Sequence, residues 1–244
     1  MHFIVERNAL VITPTIVSLN LRRCMKSVRD QTHHTHHLIV TDGIDDVSEE
    51  SYHILKQKYG YPKAEINLPW NVGKDGGDWY GHRVYATIPK LIPEKYDYIF
   101  FLDEDNFFEP EHVETCVKTM EDDKLDWCHS LRRIVDKDGK FLINDDCESL
   151  GKWPIYGQPG HHLVDTSSFC FKRDFIRQAC PHWDHGWGGD RRFLSIISPT
   201  TKWDCSGKYT LNYRLDGNPN SVTEQFFIEG NKKTDQKRPW QKTS

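Results

Sequence analysis

Nowhere in the 244-residue chain do eighteen apolar residues run together, so the sequence predicts no membrane-spanning helix. The first apolar segment, residues 1–12, is broken by Glu6, Arg7 and Asn8, which denies it the core of a secretory signal. C-x-x-C pairs are also absent. The seven cysteines, Cys24, Cys116, Cys128, Cys147, Cys170, Cys180 and Cys205, are odd in number, and several sit in apolar runs where a free thiol packs as a small hydrophobe. A reducing compartment, and hence a cytoplasmic location, is the expectation. There is no excess of basic charge: 32 Lys and Arg face 36 Asp and Glu, a formal net charge of -4. Such a balance provides no field to hold a polyanion by counterion release, which argues against nucleic acid as the main partner. No fixed-period repeat and no low-complexity segment stands out.

What is present is enough chain for one large α/β domain, with 37% hydrophobic and 28% charged residues. The aromatic share of 12% leans towards a surface that stacks on sugars or bases. Val11-Ile12 predicts a first strand leading into Thr13-Pro14-Thr15, and Leu21, Cys24, Met25 and Val28 recur at the spacing of one helical face. Leu38-Ile39-Val40 predicts a second strand ending at Asp42-Gly43. Ser48 then opens a helix with Tyr52, Leu55 and Tyr59 inward, stopped by Gly60 and Pro62. Ile66-Asn67-Leu68 predicts a third strand, followed by a glycine-rich loop over 73–77 and a helix bearing Val84, Ile88 and Leu91 that Pro89 kinks or ends.

Residues 96–102 read as the central strand, and Pro110 as the first residue of a helix with Val113, Cys116, Val117 and Met120 inward. The second half changes character. Residues 127–135, the turn Asp138-Gly139 and Phe141-Leu142-Ile143 predict an antiparallel hairpin. Residues 162–171 read as another strand, Asp174 as a helix start and 209–215 as a late strand. Strands alternating with helices imply a three-layer α/β sandwich, its central sheet mostly parallel with antiparallel additions in the second half.

Tyr98-Ile99-Phe100-Phe101-Leu102 is apolar without a break and delivers Asp103-Glu104-Asp105-Asn106 at its end. Carboxylates leaving water beside so much hydrophobic chain need compensation. If the chain stays extended, Asp103 and Asp105 point to one side and Glu104 to the other. Hard oxygens on one side suit Mg²⁺ or Mn²⁺, which use one or two carboxylates plus waters and substrate phosphates. An acidic cap on the following helix would explain one of these acids but not three. In an open α/β sheet, ligands bind beyond the carboxyl ends of the parallel strands, and the other ends here carry Thr13-Pro14, Asp42-Gly43 and Asn71-Val72-Gly73. Each alone is ordinary turn chemistry; together they mark one site.

The order Thr13-Pro14, Gln31-Thr32, Leu38-Ile39-Val40-Thr41-Asp42-Gly43, Asn71-Val72-Gly73, Phe101-Leu102-Asp103-Glu104-Asp105 resembles the family 2 glycosyltransferases of the GT-A fold, over nearly the whole chain. The resemblance implies a nucleoside diphosphate sugar, with UDP the expected nucleotide, lying across the strand ends. Thr13, Pro14 and Asp42 would contact the nucleoside, Asp103 the ribose, and Asp105 the Mn²⁺ or Mg²⁺ that bridges the diphosphate, with Asp103 counted as a second ligand. Asn71, Arg83 and Glu104 complete the donor-binding set, Arg83 through its likeness to the arginine of an Ala-Arg-Asn segment. Inverting members carry a late general base, which Asp190 in Gly186-Trp187-Gly188-Gly189-Asp190 resembles, although Gly189 stands where the usual pair has Glu.

Asp190 equally fits a cap on the helix that follows. Trp187 offers a ring for a sugar acceptor, and Asp165, in His161-His162-Leu163-Val164-Asp165-Thr166, is a second acceptor-binding candidate or a loop pin. Arg214 has the reach for a phosphate. His33-His34-Thr35-His36-His37 lacks the acidic or Cys partners of a closed metal site and reads as a solvated connector. The expectation is one GT-A-like domain over 1–230, nucleotide-binding over about 1–106 and acceptor-binding over about 107–230. A basic, flexible tail over 231–244, with Lys232, Lys233, Lys237, Arg238 and Lys242, leaves peripheral contact with an anionic membrane open. The activity expected is metal-dependent, inverting hexosyl transfer to a hydroxyl acceptor. The alternatives are a nucleotidyltransferase acting on sugar phosphates, whose basic glycine-rich loop Thr13-Pro14-Thr15-Ile16-Val17 does not provide, and an inactive sugar-nucleotide binding protein.

Overall fold

The computed structural model describes residues 7–60, 62–75, 77–215, 222–234 and 239–240. β1 (Ala9–Thr15) is buried along its whole length between β2 (Thr35–Asp42) and β4 (Tyr98–Phe101), both parallel to it. β3 (Ala64–Leu68) adds in parallel at the outer edge of β2. Beyond β4 the direction reverses. β8 (Phe169–Lys172) runs antiparallel to β4, and β6 (Trp127–Val135) antiparallel to β8. β9 (Trp203–Arg214) lies parallel to β6, and β5 (Phe107–Phe108) pairs against β9. β7 (Phe141–Asn144) closes the expected hairpin on β6. The parallel half and the antiparallel additions of the sequence reading are both present.

Successive side chains on a strand point to opposite faces, and the two faces make two cores. Ala9, Val11, Ile39, Tyr98 and Phe100 pack under α1 (Leu21–Arg29), α2 (Asp46–Tyr59) and α4 (His112–Asp122). Leu10, Ile12, Val40, Ile99 and Phe101 pack under α3 (His82–Thr87), α5 (Arg173–Ala179) and α6 (Gly189–Ile197). Coverage on both faces is why these strands carry unbroken apolar runs. The inner faces expected for α1 and α4 are all buried.

Several boundaries differ from the sequence reading. α4 starts at His112, two residues after Pro110, and α2 starts at Asp46, where Asp45 caps the Ser48 amide at 2.8 Å. α3 ends at Thr87, where Pro89 converts the next turn to a 3-10 helix, and that tighter turn leaves Leu91 67% exposed rather than inward. Only 169–171 of the expected 162–171 strand is β, as part of β8, which runs on to Lys172; Asp165 caps a 3-10 turn over Thr166–Ser168 by accepting from the Ser167 amide at 2.9 Å. The side chain of Tyr59 lies outside the described residues.

The expected tail divides. α7 (Glu224–Lys233) includes its first residues, and Asn231 bridges the Asn144 carbonyl and the Asp146 amide. Trp240 is buried with Leu131, Leu150 and Cys205 and donates to Tyr209 at 3.0 Å. Aromatic burial outweighs the surrounding basic residues there. Lys237, Arg238 and Lys242 lie outside the described residues.

Candidate functional site

The carboxyl ends of β1, β2 and β4 open on a cleft of about 470 Å³ whose lining includes Pro14, Asp42, Asn71, Asp103 and Asp105. The chain after β4 is not extended. The Asn106 amide closes a turn onto the Asp103 carbonyl at 3.1 Å, yet Asp103 and Asp105 still face one cleft, the geometry an extended strand was expected to supply. Glu104, which also borders the cleft, is occupied elsewhere: it accepts from the Ser18 amide at 3.0 Å and from the Thr15 hydroxyl, tying the loop after β1 to the acidic turn.

Asp103 is held by three contacts from distant parts of the chain. Tyr85 Oη donates to Oδ1 at 3.0 Å, Ser167 Oγ donates to Oδ2 at 3.3 Å, and Ser167 Oγ accepts from the Asp103 amide at 3.0 Å. Burial, with the neighbouring charges of Asp105 and Asp165, pushes the Asp103 carboxyl up to about 8. Burial likewise raises Asp105 to about 6, opposed by the nearby Arg214 guanidinium. Arg214 Nε is buried without a hydrogen-bond partner among the described residues, so the cation expected near a phosphate stands close to the acidic turn. Two carboxyls that resist ionising together form a hard-oxygen pair that a divalent cation would relieve. Among the described residues no group of three or more His, Cys, Asp or Glu is arranged to hold a metal ion by itself.

Asp42 clamps the loop after β3. Its Oδ1 accepts from the Val72 amide at 2.7 Å and its Oδ2 from the Gly73 amide at 3.1 Å. Gly43, at φ +63°, permits this because a side chain there would run into the backbone of Trp70 and Asn71. Asn71 turns its own Oδ1 to the Lys74 amide at 2.9 Å and lines the cleft. Gln31 bonds Ser27, Glu109 and Val113, so the Gln-Thr segment is a brace between α1 and α4.

Five of the expected site residues do not line the cleft: Thr13, Arg83, Asp165, Trp187 and Asp190. Thr13 faces the opposite core, its hydroxyl 2.9 Å from His37 Nε2, because adjacent β1 residues alternate and Pro14 takes the cleft side. Arg83 donates to the Val72 and Asp75 carbonyls at 3.1 and 2.8 Å and stacks on Trp79, facing a second cavity behind the glycine loop. Asp165 accepts from buried Arg132 at 2.9 Å, part of an ion cluster with Asp145 and Glu148. The histidine segment is not the solvated connector expected: Thr35, His36 and His37 belong to β2, where His37 is buried and His36 contacts Tyr96 Oη at 2.9 Å, and His34 contacts Asn8.

Asp190 sits in the first turn of α6, its Oδ1 accepting from the Arg191 amide at 2.7 Å, and burial raises its carboxyl. The preceding Trp187 is 74% exposed, with the Arg191 guanidinium 5.8 Å from its ring centre. Sequence reasoning missed Tyr85, Ser167, Tyr80 and His82. Tyr80 and His82 line the cleft, and Tyr80 holds φ +52°, a conformation uncommon for a non-glycine residue. None carries a local signal; Tyr85 lies among residues that read as an inner helical face.

No family model matches the sequence, and no curated protein matches it. Solved structures do. TarS from S. aureus, residues 1-349, superposes at a TM-score of 0.64 with 13% identity over 85% of this chain and 60% of that one. The same protein in complex with UDP-GlcNAc gives 0.63 with 11% identity over 91% and 64%. The mannosyltransferase PcManGT from Pyrobaculum calidifontis, in complex with GDP-Man and Mn²⁺, gives 0.55 with 12% identity over 80% and 53%. The chain thus spans less than two thirds of the length of these structures. The fold of the chain is the one these glycosyltransferases share, a GT-A-type sandwich.

Proposed function

We propose that the protein is a metal-dependent glycosyltransferase that moves a sugar from a nucleoside diphosphate, UDP in the first instance, to a hydroxyl acceptor with inversion. The observation that carries this reading is the meeting of Asp42, Asn71, Asp103 and Asp105 in one cleft at the carboxyl ends of parallel strands. The fold's neighbours in complex with UDP-GlcNAc and GDP-Man support the donor class. Residues 1–106 would bind the nucleotide and 107–230 the acceptor.

Pro14, Asp42 and Asn71 would border the donor, with Arg83 acting through the loop it braces and Thr13 through its contact from β1 to His37 of β2. Asp105 and Asp103 would hold Mn²⁺ or Mg²⁺, and such an ion would supply positive charge against the leaving diphosphate. Their oxygen donors suit that ion, and a pair of carboxylates leaves room for diphosphate oxygens and water. Asp190 takes the proton of the acceptor hydroxyl as its oxygen bonds to the anomeric carbon; its elevated carboxyl brings it nearer to neutrality, where a base works best. Trp187 offers an exposed ring to the acceptor.

Thermal-shift titration with UDP, UDP-GlcNAc and GDP-Man, with and without Mn²⁺, tests the donor site. A ligand at a hundred times its dissociation constant adds about 2.7 kcal/mol. No shift with any nucleotide in Mn²⁺ would sink the proposal. Release of UDP from UDP-GlcNAc supports it, whereas release of pyrophosphate from a nucleoside triphosphate would favour a nucleotidyltransferase.

A further inference from the structure

His82 stands at the first position of α3 and is buried, yet it borders the cleft. Its Nδ1 lies 2.7 Å from the His185 carbonyl oxygen. A carbonyl only accepts, so Nδ1 carries the hydrogen and donates it. The ring also packs on Trp183, centroids 5.5 Å apart. Beyond the hydrogen bond it fills the space over Gly189: a Cβ on Gly189 would lie 2.7 Å from His82 Nδ1 and 2.8 Å from Cε1. Asp190 is the next residue along α6.

These contacts join the two halves of the site. α3 follows the glycine loop that Asp42 clamps, whereas 185–190 carries Trp187 and Asp190. Gly186 and Gly188 leave the latter segment with little stiffness of its own, and Gly188 is at φ +76°. We infer that His82 is a positioning residue: by donating to the His185 carbonyl and seating Gly189 against its ring, it fixes Asp190 relative to the donor. The absence of a side chain at 189 is then the condition for this contact. The inference rests on the reading of Asp190 as the base.

Asn and Gln separate the two ring nitrogens, since an Asn amide reaches where Nδ1 does and a Gln amide where Nε2 does. Hydrogen exchange of the full-length chain, followed over peptides spanning 184–191, reads the tether without any substrate. His82→Ala and His82→Gln are expected to speed exchange there about tenfold, the size of one lost hydrogen bond, while His82→Asn keeps it within about twofold of the parent. With UDP-GlcNAc and Mn²⁺, turnover to UDP should fall about tenfold in His82→Ala and recover in His82→Asn, with KM for UDP-GlcNAc unchanged throughout.

Unchanged exchange in His82→Ala, or exchange in His82→Asn as fast as in His82→Ala, overturns the inference. Equal losses in KM and melting temperature across all three variants would overturn it too, as a packing role. Failure of the parent protein to bind UDP would instead remove the donor reading and leave the exchange result to decide the tether.

Discussion

Tyr85 donates its hydroxyl to Asp103 Oδ1 at 3.0 Å while its ring stacks on Phe101, centroids 4.2 Å apart. One residue of α3 therefore spans the apolar core and the first acid of the cleft. Burial and the adjacent Asp103 push the Tyr85 phenol well up, so it remains a donor. This contact fixes one carboxyl of a pair whose members disfavour each other's charge.

Asp105→Ala should abolish both transfer and donor hydrolysis while leaving the fold intact. Because burial beside like charges raises Asp103 and Asp105, removing one carboxyl should stabilise the metal-free protein, on the order of 1 kcal/mol. Urea unfolding and UDP release measure the two effects. Retained turnover in EDTA would remove the metal from the mechanism.

Asp190→Asn should leave UDP affinity unchanged and lower turnover at least about a hundredfold, the loss expected for a general base. Isothermal titration and steady-state rates with UDP-GlcNAc separate the terms. A parallel fall in affinity would give Asp190 a structural role in the first turn of α6 instead.

Arg132 donates to Asp145, Glu148 and Asp165, and all four side chains are buried. Arg132→Leu leaves three carboxyls without their cation and should cost about 3–5 kcal/mol. Since Asp165 also accepts from the amide of Ser167, which holds Asp103, nucleotide affinity should weaken as well. Denaturation together with UDP titration checks both; an unchanged affinity would uncouple the cluster from the cleft.

Three enclosed histidines set the acid limit. Burial lowers His37 and His112 to about 3 and His129 to about 4, from an ordinary value of 6.5. Between about 3 and 6.5 the unfolded chain binds protons that the folded chain refuses, so stability falls as pH drops through that window and is full above it. His37→Gln should flatten the slope between pH 6.5 and 4 in a series of thermal melts. An unaltered slope would mean that His37 protonates in the folded state.

Most of the parallel half of the sheet was legible because β1, β4 and the 38–42 part of β2 are buried on both faces and read as apolar runs ending in a polar turn, whereas β3 at the edge is only partly buried. The stretch 98–102 followed by Asp103 and Asp105 is the clearest case. The 162–165 segment misled because its apolar Leu163 and Val164 are buried in a loop, where Asp165 supplies the turn's hydrogen bonds in place of a strand partner. Trp240 lay in a stretch whose charges predicted solvent, and its burial depends on a groove formed by Leu131, Leu150 and Cys205, which no local pattern announces.

By itself, the sequence determined which residues end the strands and therefore that acids and amides would gather at one rim, since pattern and turn chemistry are local properties. Only the tertiary structure decided what each side chain does there. It turned Thr13 away from the cleft, set Arg83 behind the glycine loop, bound Glu104 to the β1 loop and placed His82 against Gly189, 107 residues on in the chain. Those outcomes rest on partners remote in sequence, whose meeting is fixed by how the two cores pack on the sheet.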